Sequence, residues 1–269
     1  MDKLYKGIYY LIITAFIGVF ILFMLFIFVK EPDLNTTMLL LAAMYIFLIV
    51  IGSYLPLVSA KAGRLEAVSR GVLFDMVKEI LQSAGIQGPK INIYIRPRKK
   101  KPIANASVQG YSNYTVIFNE DFIDRLEENE IKAVVYHEAY HIIQKHDLIR
   151  TIIWAAFGLL PSVFLTMIGF FDIPPKGYSI LSVTGLFIYM GAGLMTLHFF
   201  RRQEINADIY AVKRMGNTQA IIKALTKMTI DNGEKTEVNI VRQLLATHPY
   251  LNKRINYIKR SSLHIEIKE

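Results

Sequence analysis

The sequence contains no cysteine. Disulfide stapling is therefore excluded, and so is any metal site built on thiolates; zinc, if present, must be held by nitrogen and oxygen. Histidine is scarce, with six residues in 269, and there is a single tryptophan. Neither an internal repeat nor a low-complexity tract occurs. Acidic side chains are outnumbered, 22 against 31 Lys and Arg, for a net charge of +9. That excess does not argue for nucleic acid as a partner. The basic residues mostly flank long apolar runs, where anchoring at the cytoplasmic face of a membrane accounts for them.

Apolar sequence is what the chain has in excess: 53% of it is hydrophobic, with a mean hydropathy of +0.33. Four runs, residues 7–29, 38–60, 151–171 and 177–200, are nearly free of charge and long enough to span a bilayer. The first exceeds the apolar core of a signal peptide and no small-x-small cleavage site closes it, so it reads as a retained helix. Lys3, Lys6, Lys61, Arg64, Arg70, Lys145, Arg150, Arg201 and Arg202 border one side of the four spans. The turns on the other side hold Lys30 and Lys176 beside Glu31, Asp33 and Asp172. This asymmetry predicts a multi-pass protein of the cell membrane with both termini and the polar segments in the cytoplasm. The rival arrangement for the third and fourth runs is a buried hairpin that does not fully cross.

Between the runs, residues 65–84 carry an amphipathic helical pattern, and 91–95, 104–110 and 114–118 read as short strands. The basic cluster Arg96 to Pro102 reads as a solvated turn near anionic lipid head groups. Residues 133–143 then place His137, Glu138 and His141 in the pattern His-Glu-x-x-His within a helix-compatible run, behind an acid-rich first turn of Glu127, Glu128, Asn129 and Glu130. Residues four apart share a helix face, so both imidazoles can bind one metal ion. Glu138 lies beside the pair, where its carboxylate can take a proton from the attacking water without being a ligand. This is the zinc-hydrolase arrangement, and with so few histidines its chance occurrence is roughly one in a hundred.

A catalytic zinc site needs a third protein ligand. Asp147 lies six residues beyond His141, but a ligand there requires a helix-breaking glycine at position 144, which is Gln144. Glu204 and Asp208, at i and i+4, form the other candidate. One would bind metal while the other orients a ligand histidine. Taken alone, an acidic pair beside Arg201 and Arg202 is as simply a solvated helix face.

His137-Glu138-x-x-His141, followed after two apolar runs by Arg201-x-x-Glu204-x-x-Ala207-Asp208, resembles the HtpX-type membrane zinc metalloproteases, relatives of the CAAX prenyl endopeptidases. Asn105-Ala106-x-x-x-Gly110, Glu130-Ile131-x-Ala133-Val134 and Thr247-His248-Pro249 with Arg254-Ile255 carry the likeness further, over most of the chain from about residue 65. Ala139-Tyr140 between the histidines and Ile205-Asn206 after the glutamate depart from the commoner pattern. The resemblance implies one zinc ion per chain on His137, His141 and Glu204, with Asp208 behind a ligand. It also implies His248 and Arg254 near the reacting carbonyl, and Asn105, Ala106 and Gly110 on a strand edging the substrate cleft. His146 reads instead as a cation at a helix C-terminus.

The expected fold is mainly α: a polytopic membrane protein with about four transmembrane helices and a zincin-like α+β cytoplasmic catalytic domain carrying a small β-sheet. Residues 1–60 and 151–200 form two transmembrane hairpins; 61–150 and 201–269 form the two parts of the catalytic domain. The expected activity is zinc-dependent endoproteolysis of misfolded or membrane-associated proteins in quality control. A processing protease for lipid-modified C-termini and a non-proteolytic adaptor with a structural metal are the alternatives.

Overall fold

In the computed structural model the described residues are 36, 65–86, 91–98, 105–110, 114–154, 156–157, 175–234, 236 and 239–266. The runs 7–29 and 38–60, and most of run 151–171, lie outside them.

Four short strands make one mixed sheet: β1 (Glu66–Ala67), β2 (Ile91–Arg96), β3 (Ala106–Gln109) and β4 (Tyr114–Asn119), in the order β1-β2-β4-β3. β2 and β4 run parallel with Ile93 opposite Val116, and β1 and β3 pair antiparallel at the two edges. The amphipathic stretch expected from residue 65 is a strand before it is a helix. Glu66–Ala67 pairs with β2, and Gly71 at φ 102 turns the chain into helix α1 (Val72–Ser83). Val77, Ile80 and Leu81, one face of α1, pack with Val116, Phe118 and Phe122 under the sheet. Burying each side chain of this size contributes about 1.5–3 kcal/mol.

Helix α2 (Glu120–Ile123) is one turn long and leads into α3 (Glu128–Ile143). α3 runs through the middle of the molecule. Val134, Val135, Ala139 and Ile142 face the sheet core, while Ala133 joins a second core with Ala211, Val212, Ile221, Leu225 and Ile258. Those residues belong to α4 (Pro175–Met215), α5 (Thr218–Asp231) and α7 (Leu251–Glu266); α6 (Ile240–Leu245) is a short outlying helix. Ala133, Ala207 and Ala211 are fully buried, and their small side chains let α3 and α4 approach closely.

The boundary expected between the second hairpin and the second part of the catalytic domain falls at residue 200, where the helix of the apolar run would stop. It does not stop: α4 is one helix of 41 residues. No glycine or proline interrupts residues 200–215, and the helix ends only at Gly216, φ 62. Its first half exposes Ile180, Phe187, Ile188 and Met195, while Phe200, Ile205, Ala207 and Ala211 in its second half are buried. Among the described residues it is the one helix long and apolar enough to cross a membrane. The start of the preceding apolar run lies against it. Phe157 stacks on Tyr189 at 4.1 Å between centroids, and a Cβ on Gly193 would meet the Phe157 ring at 3.1 Å.

Candidate metal centre

The rotation of α3 is set at its start and along its length. At its start the Glu127 N–H donates to Glu130 Oε2 at 2.9 Å, and Lys227 Nζ donates to the same oxygen at 2.7 Å. Along its length the buried Val134, Val135, Ala139 and Ile142 lock one face into the core. The adjoining face, with His137, Glu138 and His141, borders a cleft that Val134 and Ile142 also line, beside β3, α4 and the segment carrying His248 and Pro249.

His137, His141 and Glu204 converge there, although α4 delivers Glu204 from far along the chain. His137 Nε2 and His141 Nε2 are 3.2 Å apart; the first lies 3.6 Å from Glu204 Oε2 and the second 3.6 Å from Glu204 Oε1. Tetrahedral zinc with bonds of about 2.0–2.1 Å requires donors roughly 3.4 Å apart. The three side chains thus fit one ion. Among the described residues this is the one group of three or more His, Cys, Asp or Glu that could hold a metal.

Each histidine turns its Nδ1 outward onto a partner. His137 Nδ1 meets Asp208 Oδ1 at 2.9 Å, and Asp208 in turn accepts from Arg254 Nε at 2.7 Å and Nη2 at 2.6 Å. Asp208 is 1% exposed and Arg254 6%, so a fully buried ion pair stands behind the His137 ring, in the order Arg254, Asp208, His137, cleft. His141 Nδ1 meets His146 Nδ1 at 2.7 Å. Burial disfavours a charged His137, but the hydrogen bonds to Asp208 and Glu204 outweigh it and raise the ring to about 9. Burial dominates at the other two, holding His141 well below 6.5 and His146 at about 4.

Glu138 points into the same cleft. Burial pushes its carboxyl up to about 7, against the opposing pull of His137 and of a hydrogen bond from the Val108 backbone. Val108 belongs to β3, and Asn105, Ala106 and Gly110 on and beside that strand also line the cleft. His248 stands at the cleft mouth with its side chain 60% exposed and Nε2 3.8 Å from Glu204 Oε1. Arg254 lines the cleft but commits its Nε and Nη2 to Asp208.

Several contacts had no sequence signal. Arg150, read only as a membrane-flanking cation, donates from Nη2 to Glu204 Oε1 at 2.7 Å and from Nε to Gln203 at 3.0 Å. Asp147 accepts the Gly110 N–H at 2.6 Å and is not part of the donor group. The helix does break before it without a glycine at 144, because Lys145 takes φ 51, alone among the described non-glycine residues. His146 consequently starts a new helical segment and is 6% exposed, not a cation capping a helix end.

This geometry has counterparts. The crystal structure of S. mikatae Ste24p superposes with a TM-score of 0.68 at 19% identity, over 96% of this chain and 66% of that one, a likeness of fold. A Protease HtpX homolog of Bacteroides fragilis is 28% identical over 202 residues, 69% of this chain and 61% of that protein. Protease HtpX of Legionella pneumophila is 26% identical over 172 residues, 61% of this chain and 60% of that protein. The chain thus spans about three fifths of the length of these curated relatives. The family model described as Peptidase family M48 matches residues 69–262, a stretch holding β2, β3, β4, α3, Glu204 and the His248–Arg254 segment together. With that match covering most of its length, the chain belongs to peptidase family M48.

Proposed function

We propose that this protein is a zinc-dependent membrane endopeptidase whose substrates are unfolded or membrane-associated proteins, acting in membrane protein quality control. The observation that carries the proposal is the pairing of three convergent donors with a carboxylate that is not one of them. Glu138 sits beside His137 and His141 with a carboxyl raised to about 7. A purely structural metal site has no use for such a group. The names of the relatives, proteases of the HtpX type, support the same reading.

Zinc bound by His137, His141 and Glu204 would polarise the scissile carbonyl and acidify the attacking water. Glu138, oriented by the Val108 N–H, takes the proton of that water and passes it to the leaving amine. The outer edge of β3 offers backbone to an extended peptide, with Asn105, Ala106 and Gly110 along its path. His248, at the cleft mouth, is within reach of the developing oxyanion. Arg254 acts on the reaction through Asp208.

The exposed apolar half of α4 supports a membrane location, and the distribution of Lys and Arg supports four spans with the site on the cytoplasmic side. On this reading residues 61–150 and 201–269 are the two parts of one catalytic domain, separated by the hairpin 151–200. The test is cleavage of an unfolded membrane protein by the purified, zinc-loaded protein in detergent, beside Glu138→Gln. The variant should keep its zinc, measured by atomic absorption, and lose cleavage. Cleavage by the variant at near wild-type rate would remove Glu138 from the reaction.

A further inference from the structure

The two histidines of the donor group are supported unequally. Behind His137 stands a carboxylate neutralised by an arginine, while behind His141 stands another imidazole. If His141 presents Nε2 to a metal, that nitrogen carries no proton, and the neutral ring holds its proton on Nδ1. The Nδ1–H must then be donated. The atom that faces it, at 2.7 Å, is His146 Nδ1. His146 can accept only through a bare Nδ1, so its own proton sits on Nε2. The two rings are therefore opposite tautomers of the neutral form.

We propose that His146 is a positioning residue for the metal centre: it accepts the His141 Nδ1–H and fixes His141 with Nε2 turned toward the ion. The proposal rests on the metal-binding reading above. The backbone around His146 is shaped for this contact. On an uninterrupted helix a residue five positions after His141 points away from it, about 140° around the axis. Lys145 at φ 51 breaks the helix, and the new segment starting at His146 directs that ring back onto His141, 4.8 Å between centroids at 66°. The next residue, Asp147, clamps the corner to the end of β3 through the Gly110 N–H at 2.6 Å. Tyr140 closes the other side of His146, edge-on at 5.5 Å. A ring so enclosed has little freedom to turn, and an acceptor that cannot turn defines the orientation of its donor.

Three substitutions separate this role from space filling. His146→Asn keeps an acceptor oxygen the same number of bonds from Cβ as Nδ1. His146→Gln moves it out to the position of Nε2, and His146→Leu fills the volume with no acceptor. Zinc affinity is measured by competition with a chromophoric chelator, and the visible spectrum of the cobalt-loaded protein reports donor geometry. Unfolding in EDTA reports whether each variant folds. His146→Leu and His146→Gln should lose on the order of 10–100-fold in affinity with an altered cobalt spectrum, and His146→Asn should return both toward wild type. His146→Leu with wild-type affinity and spectrum would overturn the proposal. So would folded Asn and Gln variants that lose affinity equally, a comparison that stands even if the Leu variant fails to fold. A wild-type protein that takes up neither zinc nor cobalt would instead sink the metal-binding reading itself.

Discussion

Arg254 and Asp208 form an ion pair that should reveal its job through a pair of substitutions with opposite effects on two observables. Arg254→Met removes two charge-assisted hydrogen bonds, of 2.7 and 2.6 Å, from a carboxylate that is 1% exposed. The carboxylate keeps only the His137 contact, so a buried charge loses its counterion. Breaking a buried pair in this way costs about 3–5 kcal/mol. Replacing both partners with apolar residues removes the stranded charge as well, and such replacements are often neutral or stabilising. Arg254→Met with Asp208→Leu should therefore be more stable than Arg254→Met alone, by several kcal/mol, in metal-free protein. Zinc binding should not recover with it. The double variant leaves the His137 Nδ1–H without its acceptor, a loss of roughly 10–100-fold in affinity. The assay is thermal unfolding in detergent with EDTA, followed by circular dichroism, beside chelator competition for zinc. A double variant no more stable than the single one would refute the claim that the cost arises from the stranded carboxylate. One that binds zinc like wild type would refute the orienting role of Asp208.

Glu204→Ala should lose zinc and cleavage together, whereas Asp147→Ala should keep its zinc, checked by metal content after identical dialysis; the reverse pattern would reassign the third ligand. Glu138 acts in its ionised form, and burial raises its carboxyl to about 7 without metal. A bound cation lowers that value, so the acid-side loss of cleavage should set in at a pH below about 7, and kcat/KM measured from pH 5 to 8 that rises toward acid would exclude it as the base. Reporter fusions after Arg70, Lys176 and Glu269 should read inside, outside and inside; an inside reading at Lys176 would mean that runs 151–171 and 177–200 do not cross.

How far the sequence could be read depended on whether a feature is local. α3 and its two histidines were legible because helical periodicity and a five-residue motif lie in one stretch, and β2 and β4 because their alternation is local too. Glu204 was legible only through the family likeness, since nothing near it distinguishes a buried donor from a solvated acid. The continuity of α4 was missed because Arg201-Arg202 looked like the end of a helix. In a membrane protein such a pair marks the end of the apolar surface, not of the backbone hydrogen bonding. The corner at Lys145 was invisible for a different reason: periodicity carries no sign of a left-handed residue that is not glycine. His146, Asp147 and Arg150 all owe their placement to it, and none of their contacts with His141, Gly110 and Glu204 follows from spacing.

The unbroken α4 also has a mechanical side. Its 41 residues make a rod of about 60 Å with no joint between the apolar half and Glu204. Arg201, held by the carbonyls of Leu244 at 2.8 Å and Ala246 at 2.7 Å, pins the rod where its surface changes from exposed to buried. Glu204 lies about 5 Å beyond that pin along the axis, so a tilt of ~10° moves it by just under ~1 Å. Metal–donor distances tolerate only about 0.2 Å. With the apolar half of α4 in a bilayer, as proposed above, a change in bilayer thickness that tilts the helix would act on the three donors as a load on a lever with a very short far arm.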